Sequence, residues 1–197
     1  MRRNAVVLAV LVSLFSLFVG SAMAAVTGDA PLKGDEPLLI TNAGQGPGGK
    51  MGRLLVSRSK AVKDITYNAE PTPEDILSGG YKTVLVVIGS SAKGLGASGI
   101  TIDDEIDRLG AIMEACKKEG IQVIAAHIEG KARRGKPGSA DERSIDAIAP
   151  YAQGFIVKND SNSDGRFTEL AKANGAPLTI IDETIDFMNV VKDMYSK

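Results

Sequence analysis

Residues 38–51 read LLITNAGQGPGGKM. Leu38 to Thr41 is an apolar, β-branched run of strand length. Gly44, Gly46, Gly48 and Gly49 follow, and Met51, Leu54 and Leu55 then fall at the spacing of one helix face. Strand, glycine loop and helix in one short segment are the opening half of a βαβ unit.

The rest of the chain repeats that alternation. Strand-length apolar runs recur at Ile65–Tyr67, Thr83–Ile88, Ile121–Ala126, Phe155–Val157 and Leu178–Ile181. Between Ile102 and Glu119 the residues Ile102, Ile106, Leu109, Met113 and Cys116 step by four and three, which is one helix face. Thr101 is placed to cap that helix, and Gly120 to end it. Thr72-Pro73 opens a second helix, Ser139 to Glu142 reads as a capping box, and Thr184 to Tyr195 places Ile185, Met188, Val191 and Tyr195 on one side of a closing helix. This pattern predicts a three-layer αβα sandwich with a mostly parallel sheet of 5–6 strands, flavodoxin-like or Rossmann-like.

The N-terminus bounds the compartment. Arg2 and Arg3 precede the apolar run Ala5–Gly20, and Ser21-Ala22-Met23-Ala24 supplies a small-residue cleavage site. Residues 1–24 read as a Sec-type signal peptide, with export to a bacterial periplasm or exterior and no membrane span after cleavage. Residues 25–36 read as a flexible N-terminal arm, and 37–197 as one α/β domain. The net charge of −1 carries no basic excess for nucleic acid. Cys116 is the only cysteine, so no internal disulfide forms, and a single His with a single Cys does not suit a zinc site.

In a parallel sheet, the loops leaving the carboxyl ends of the strands build the binding crevice. After the first, third, fourth and fifth strands these loops read TNAGQGPGGKMGR, GSSAKGLGASG, HIEGKARRGKPG and KNDSNSDGR. All are rich in Gly, Ser, Asn, Lys or Arg. The first matches the phosphate-loop pattern G-x-x-x-x-G-K-[ST] except that Met51 stands where a hydroxyl must hold Mg²⁺. Nucleotide hydrolysis is therefore rejected, and Met51 is assigned to the core. Gly94 to Gly99 match G-x-G-x-x-G, but the next helix is expected only near Ile102 and opens with Asp103, Asp104 and Glu105, where a pyrophosphate would need to sit. No cofactor is expected. Asp160, Asn162 and Asp164 form the first half of a calcium loop, but Ala171 stands where the closing Glu belongs, so Asx turns explain the segment more simply.

What remains favours an anion: backbone amides at a helix start, with lysine and arginine nearby. The ligand-facing set is Asn42, Gly44, Gly46, Gly48, Gly49, Lys50, Arg53, Ser90, Ser91 and Lys93. His127, Arg133, Arg134, Asn159 and Asp160 are expected on the far side. The expected function is binding of a small anionic molecule, a carboxylate or phosphate compound. Two alternatives are a hydrolase relaying through Ser91, His127 and Asp160, and a non-catalytic partner of an envelope or transport complex, touching it through the basic 131–136 loop.

The strings LLITNAGQGPGGKMGRLL, VLVVIGSSAKGLGASGIT and DGRF together resemble a family of exported bacterial proteins described only as a domain of unknown function. The resemblance spans nearly all of the chain after the leader. It implies a signal peptide and a compact α/β domain, and it carries no activity or site residues to transfer.

Overall fold

A computed structural model describes residues 25–196. The leader expected at 1–24 lies outside the described residues. Strands β1 (Val26–Gly28), β2 (Leu38–Ala43), β3 (Ile65–Tyr67), β4 (Thr83–Ile88), β5 (Gln122–His127), β6 (Gly154–Lys158) and β7 (Leu178–Ile181) form one sheet. Its order is β1-β7-β6-β5-β4-β2-β3, and every pairing is parallel except β1 with β7. Counting only the parallel strands, the order is the flavodoxin-like one, extended by a final strand at the far edge.

The seventh strand was not expected. Residues 25–36, read as a flexible arm, are tied down instead: Val26 pairs with Ile181, the Lys33 ammonium donates to the Asp193 carbonyl at 2.7 Å, and the Asp35 amide donates to Thr83 Oγ1 at 2.9 Å. A three-residue edge strand is too short to leave a periodicity in the sequence.

The α-helices among the described residues are α1 (Gly48–Ser59), α2 (Pro73–Ser78), α3 (Ala92–Ser98), α4 (Ile102–Glu119), α5 (Ala140–Ile148), α6 (Arg166–Asn174) and α7 (Phe187–Met194). Alternation along the strands sends Leu38, Ile40, Leu85, Val87, Ile124 and Ala126 under α1 and α7, where Leu55, Val56, Phe187 and Val191 meet them. The other face sends Leu39, Val84, Val86 and Phe155 toward Ile76, Leu109, Met113, Ile145 and Phe167 on α2, α4, α5 and α6. Phe155, Phe167 and Phe187 are fully buried, each stabilising by about 1.5–3 kcal/mol. Cys116 lies within the second layer of this core, and burial pushes its thiol up to about 12.

Three helix expectations need correction. Met51 is only half-buried against the α1 layer and Leu54 is 48% exposed, so the buried face of α1 runs through Gly52, Leu55, Val56 and Ser59. A 3₁₀ turn at Thr184–Asp186 resets the phase of the closing helix, so α7 buries Phe187, Val190, Val191 and Met194 while Ile185 is 51% exposed. The glycine-rich stretch after β4 is helical, not loop: Ser91 caps α3 by accepting the Gly94 amide at 3.1 Å, and Gly99 ends it in the left-handed region.

Candidate functional site

β2 and β4 are neighbours, β3 lies on one side and β5 on the other, so the strand order reverses between β2 and β4. The two loops leaving that point touch: Gln45 bridges Ser90, and the Ser91 amide donates to the Gly44 carbonyl at 2.8 Å. A crevice of about 550 Å³ opens above them. Its walls include Asn42, Lys50, Tyr67, Ser91, Lys93 and Arg133. A hollow of about 420 Å³ lies at the other edge, where β5 and β6 begin, with Tyr151 and Gln153 among its residues. No loops from carboxyl strand ends converge there.

Close backbone approach explains the glycines. A Cβ on Gly44 would stand 2.7 Å from Ser90 Cα, and Gly44 has φ +95°. One on Gly46 would stand 2.2 Å from the Gly89 carbonyl, and one on Gly94 1.9 Å from the Gln45 carbonyl. One on Gly49 would stand 1.6 Å from Asn42 Oδ1, and one on Gly48 would meet Glu129 and Val87. The phosphate-loop likeness is therefore accounted for by packing between two loops.

A buried acid fixes this arrangement. Glu105, fully buried on the first turn of α4, accepts the Gly44 amide at 2.8 Å and the Gln45 side-chain amide at 3.2 Å. Arg108 grips it with two bonds, at 2.8 and 2.9 Å, and also donates to the Asn42 carbonyl at 3.1 Å. The buried charge is thus paired and its lone pairs are used. On the other flank, Arg133 donates to Glu129 at 3.1 Å and to the Ser90 carbonyl at 2.8 Å.

At the foot of the crevice, α1 begins without a side-chain cap and without an acid in its first turn. Among the described residues Asn42, 4% exposed, leaves Oδ1 without a partner, and its Nδ2 makes only a 3.4 Å contact with the Tyr67 hydroxyl. Lys50 and Lys93 are exposed, and neither is in an ion pair among the described residues. Glu70 also borders the space, with its carboxylate taken by the Ser98 hydroxyl.

Of the expected residues, Asn42, Gly46, Lys50, Ser91, Lys93 and Arg133 border the crevice. Gly44, Gly48, Gly49 and Ser90 form its supporting loops. Arg53 is exposed on α1, outside the crevice. Arg134 is engaged elsewhere: it binds Glu142 at 2.7 Å and Asp164 at 2.7 Å and lies 5.6 Å above the Phe167 ring. Its hydrogen bond holds the Asp164 carboxyl down at about 2. Glu142 does not reach back to close a capping box. It takes Arg134, Arg166 and the Gly135 amide. Asn159 donates to Asp182 at 3.3 Å, and Asp160 stands against Gly130.

The serine relay is not assembled. His127 is 1% exposed, with Nδ1 2.9 Å from Ser161 Oγ and Nε2 3.0 Å from the Arg133 carbonyl. A carbonyl only accepts, so Nε2 carries the proton and Nδ1 accepts from Ser161. Ser91 Oγ is a helix cap. In the half-calcium loop, Asn162 Oδ1 accepts the Phe167 and Thr168 amides at 2.9 and 3.3 Å, so it caps α6, while Asp164 is held by Arg134.

Tyr67, Ala69 and Glu70 were missed because the loop after β3 has no glycine or basic run. Its signal was topological, since β3 is parallel to β2 and ends at the same edge. Glu105, Arg108 and Glu129 were missed as supports because a charged residue in an amphipathic helix or loop reads as surface.

The fold and this site define a flavodoxin-like three-layer protein with a crevice at the switch point. The family described as "Domain of unknown function (DUF6305)" matches residues 35–195, and the chain belongs to it. No curated protein matches the sequence. Among solved structures, the chain is similar to a GDP-L-fucose synthetase from Naegleria fowleri bound to NADP, at 13% identity and TM-score 0.37, covering 81% of this chain and 52% of that one. It therefore spans about half the synthetase. It is also similar to a psychrotrophic esterase from Pseudoalteromonas sp., at 11% identity and TM-score 0.33, covering 80% of this chain and 92% of that one. At these scores neither neighbour carries a functional argument. No helix among the described residues is long and apolar enough to cross a membrane.

Proposed function

We propose that the protein is an exported binding protein that holds a small carboxylate- or phosphate-bearing molecule in the switch-point crevice. The observation that carries this is that Lys50 and Lys93, in no ion pair among the described residues, line one space of about 550 Å³ above the uncapped start of α1. Helix amides and ammonium groups both favour negative charge there. The leader-like sequence of residues 1–24 supports export.

The test is mass spectrometry of small molecules that co-purify with residues 25–197, beside calorimetric titration of wild type and Lys50→Ala with the compound found. An anionic compound should co-purify, and Lys50→Ala should weaken it by about 1.5–3 kcal/mol, the range for a hydrogen bond to a charged group. Apo stability should be unchanged or slightly higher, because a cation in the first turn opposes the helix dipole. Unchanged affinity with a less stable apo protein would make Lys50 a structural residue.

A further inference from the structure

The charges around the crevice are not equivalent. Arg133 is neutralised by Glu129 at 3.1 Å and held by the Ser90 carbonyl. Glu70 keeps its negative charge while one oxygen accepts the Ser98 hydroxyl. Among the described residues Lys50 and Lys93 have no such partner, and they come from different walls, the first turn of α1 and the first turn of α3. The two walls are fixed relative to each other by the Gln45–Ser90 bridge and by Gly94, which packs onto the Gln45 carbonyl. Beside Lys50 lies the buried Asn42 amide, with an unpartnered oxygen and a weakly engaged nitrogen.

One anionic group beside Lys50 at the start of α1 would answer that ammonium alone. It would leave Lys93 facing, across the same space, only the Glu70 carboxylate, which is already tied to Ser98. From this we infer that the crevice selects a compound with two anionic groups on a short carbon skeleton, one seated at α1 with Lys50 and the other at Lys93. The inference rests on the anion-binding reading above and adds the valence of the ligand. A dicarboxylate and a phosphorylated carboxylate share this chemistry.

Matched pairs test it in calorimetric titrations of the folded chain. Butyrate against succinate, and glycerol 3-phosphate against 3-phosphoglycerate, differ in the second anionic group. The doubly anionic member of at least one pair should bind at least about tenfold tighter, the lower end for a charge-assisted hydrogen bond. The pair showing the larger ratio tells a dicarboxylate from a phosphorylated ligand. Lys93→Ala should bring the doubly anionic compound down to its singly anionic partner and leave that partner unchanged. Melting curves check that the variant is folded. Equal affinity within both pairs, or a preference that survives Lys93→Ala, overturns the two-anion inference while leaving single-anion binding intact. Failure of all four compounds to bind the folded wild type would remove the anion-site reading as well.

Discussion

The Glu105 carboxylate accepts the Gly44 backbone amide at 2.8 Å, so the start of α4 holds the turn that ends β2. Glu105 is fully buried and Arg108 is its counter-ion. Removing one partner of such a pair strands the other charge, a larger effect than the net worth of the pair. Glu105→Gln should lower unfolding free energy by about 3–5 kcal/mol in denaturant titrations. Asp103, on the same turn but 76% exposed in its pair with Arg143, is the control. Asp103→Ala should stay within about 0.5 kcal/mol. Equal effects would mean that burial of Glu105 does not govern the loop.

The glycines of α3 divide into two kinds. A Cβ on Gly94 would stand 1.9 Å from the Gln45 carbonyl, while one on Gly96 would meet nothing within 4 Å. Gly94→Ala should cost about 1–3 kcal/mol by forcing α3 off the first loop. Gly96→Ala should stabilise by about 0.5–1 kcal/mol, because alanine is the better helix former. Thermal melting of the two variants decides it, and the same sign for both would contradict the packing explanation.

His127 makes stability pH-dependent. Burial holds its pKa below the ordinary 6.5, against the hydrogen bond to the Arg133 carbonyl, which raises it, and with the Arg134 charge lowering it further. The folded state therefore binds fewer protons than the unfolded chain, and protonation favours unfolding. This contribution is complete above the unfolded value near 6.5 and is lost as pH falls from there through the depressed folded value. His127→Gln should thus be less stable than wild type at neutral pH, with the gap narrowing on acidification. A constant gap in melting temperature across pH 7 to 4 would show that His127 does not titrate on unfolding.

Asn162 caps α6 through two backbone amides, so Asn162→Ala should cost about 1 kcal/mol. Because Asn162 and Asp164 already spend their oxygens on the protein, millimolar calcium should leave the wild-type melting temperature unchanged. A rise with calcium that Asp160→Ala and Asp164→Ala abolish would establish a cation site there.

Periodicity made six strands and the long α4 legible, because Val, Ile and Leu at strand and helix spacing report burial directly. The location of the crevice was legible as well, since parallel strands send their loops to one edge. Chemistry was less legible. Glycines at 44, 46 and 49 look like a phosphate cradle in sequence, and only the distances to Ser90, Gly89 and Asn42 reveal close backbone contact. Arg133 and Arg134 are adjacent and identical in type, yet one borders the crevice and the other is consumed by Glu142 and Asp164. Which partner an arginine finds is a long-range fact that spacing does not encode. The phase of α7 was lost to a single 3₁₀ turn.

Backbone amide chemical-shift mapping locates the anion site proposed at the switch point. Residues 25–197, isotopically labelled, would be titrated with succinate and separately with 3-phosphoglycerate at constant ionic strength. The expected result is saturable shifts confined to Gln45, Gly46, Gly48, Gly49 and Lys50 on one wall and Ser91 to Gly94 on the other. Shifts centred on the hollow by Tyr151 and Gln153, or none that saturate, would contradict an anion site at the switch point.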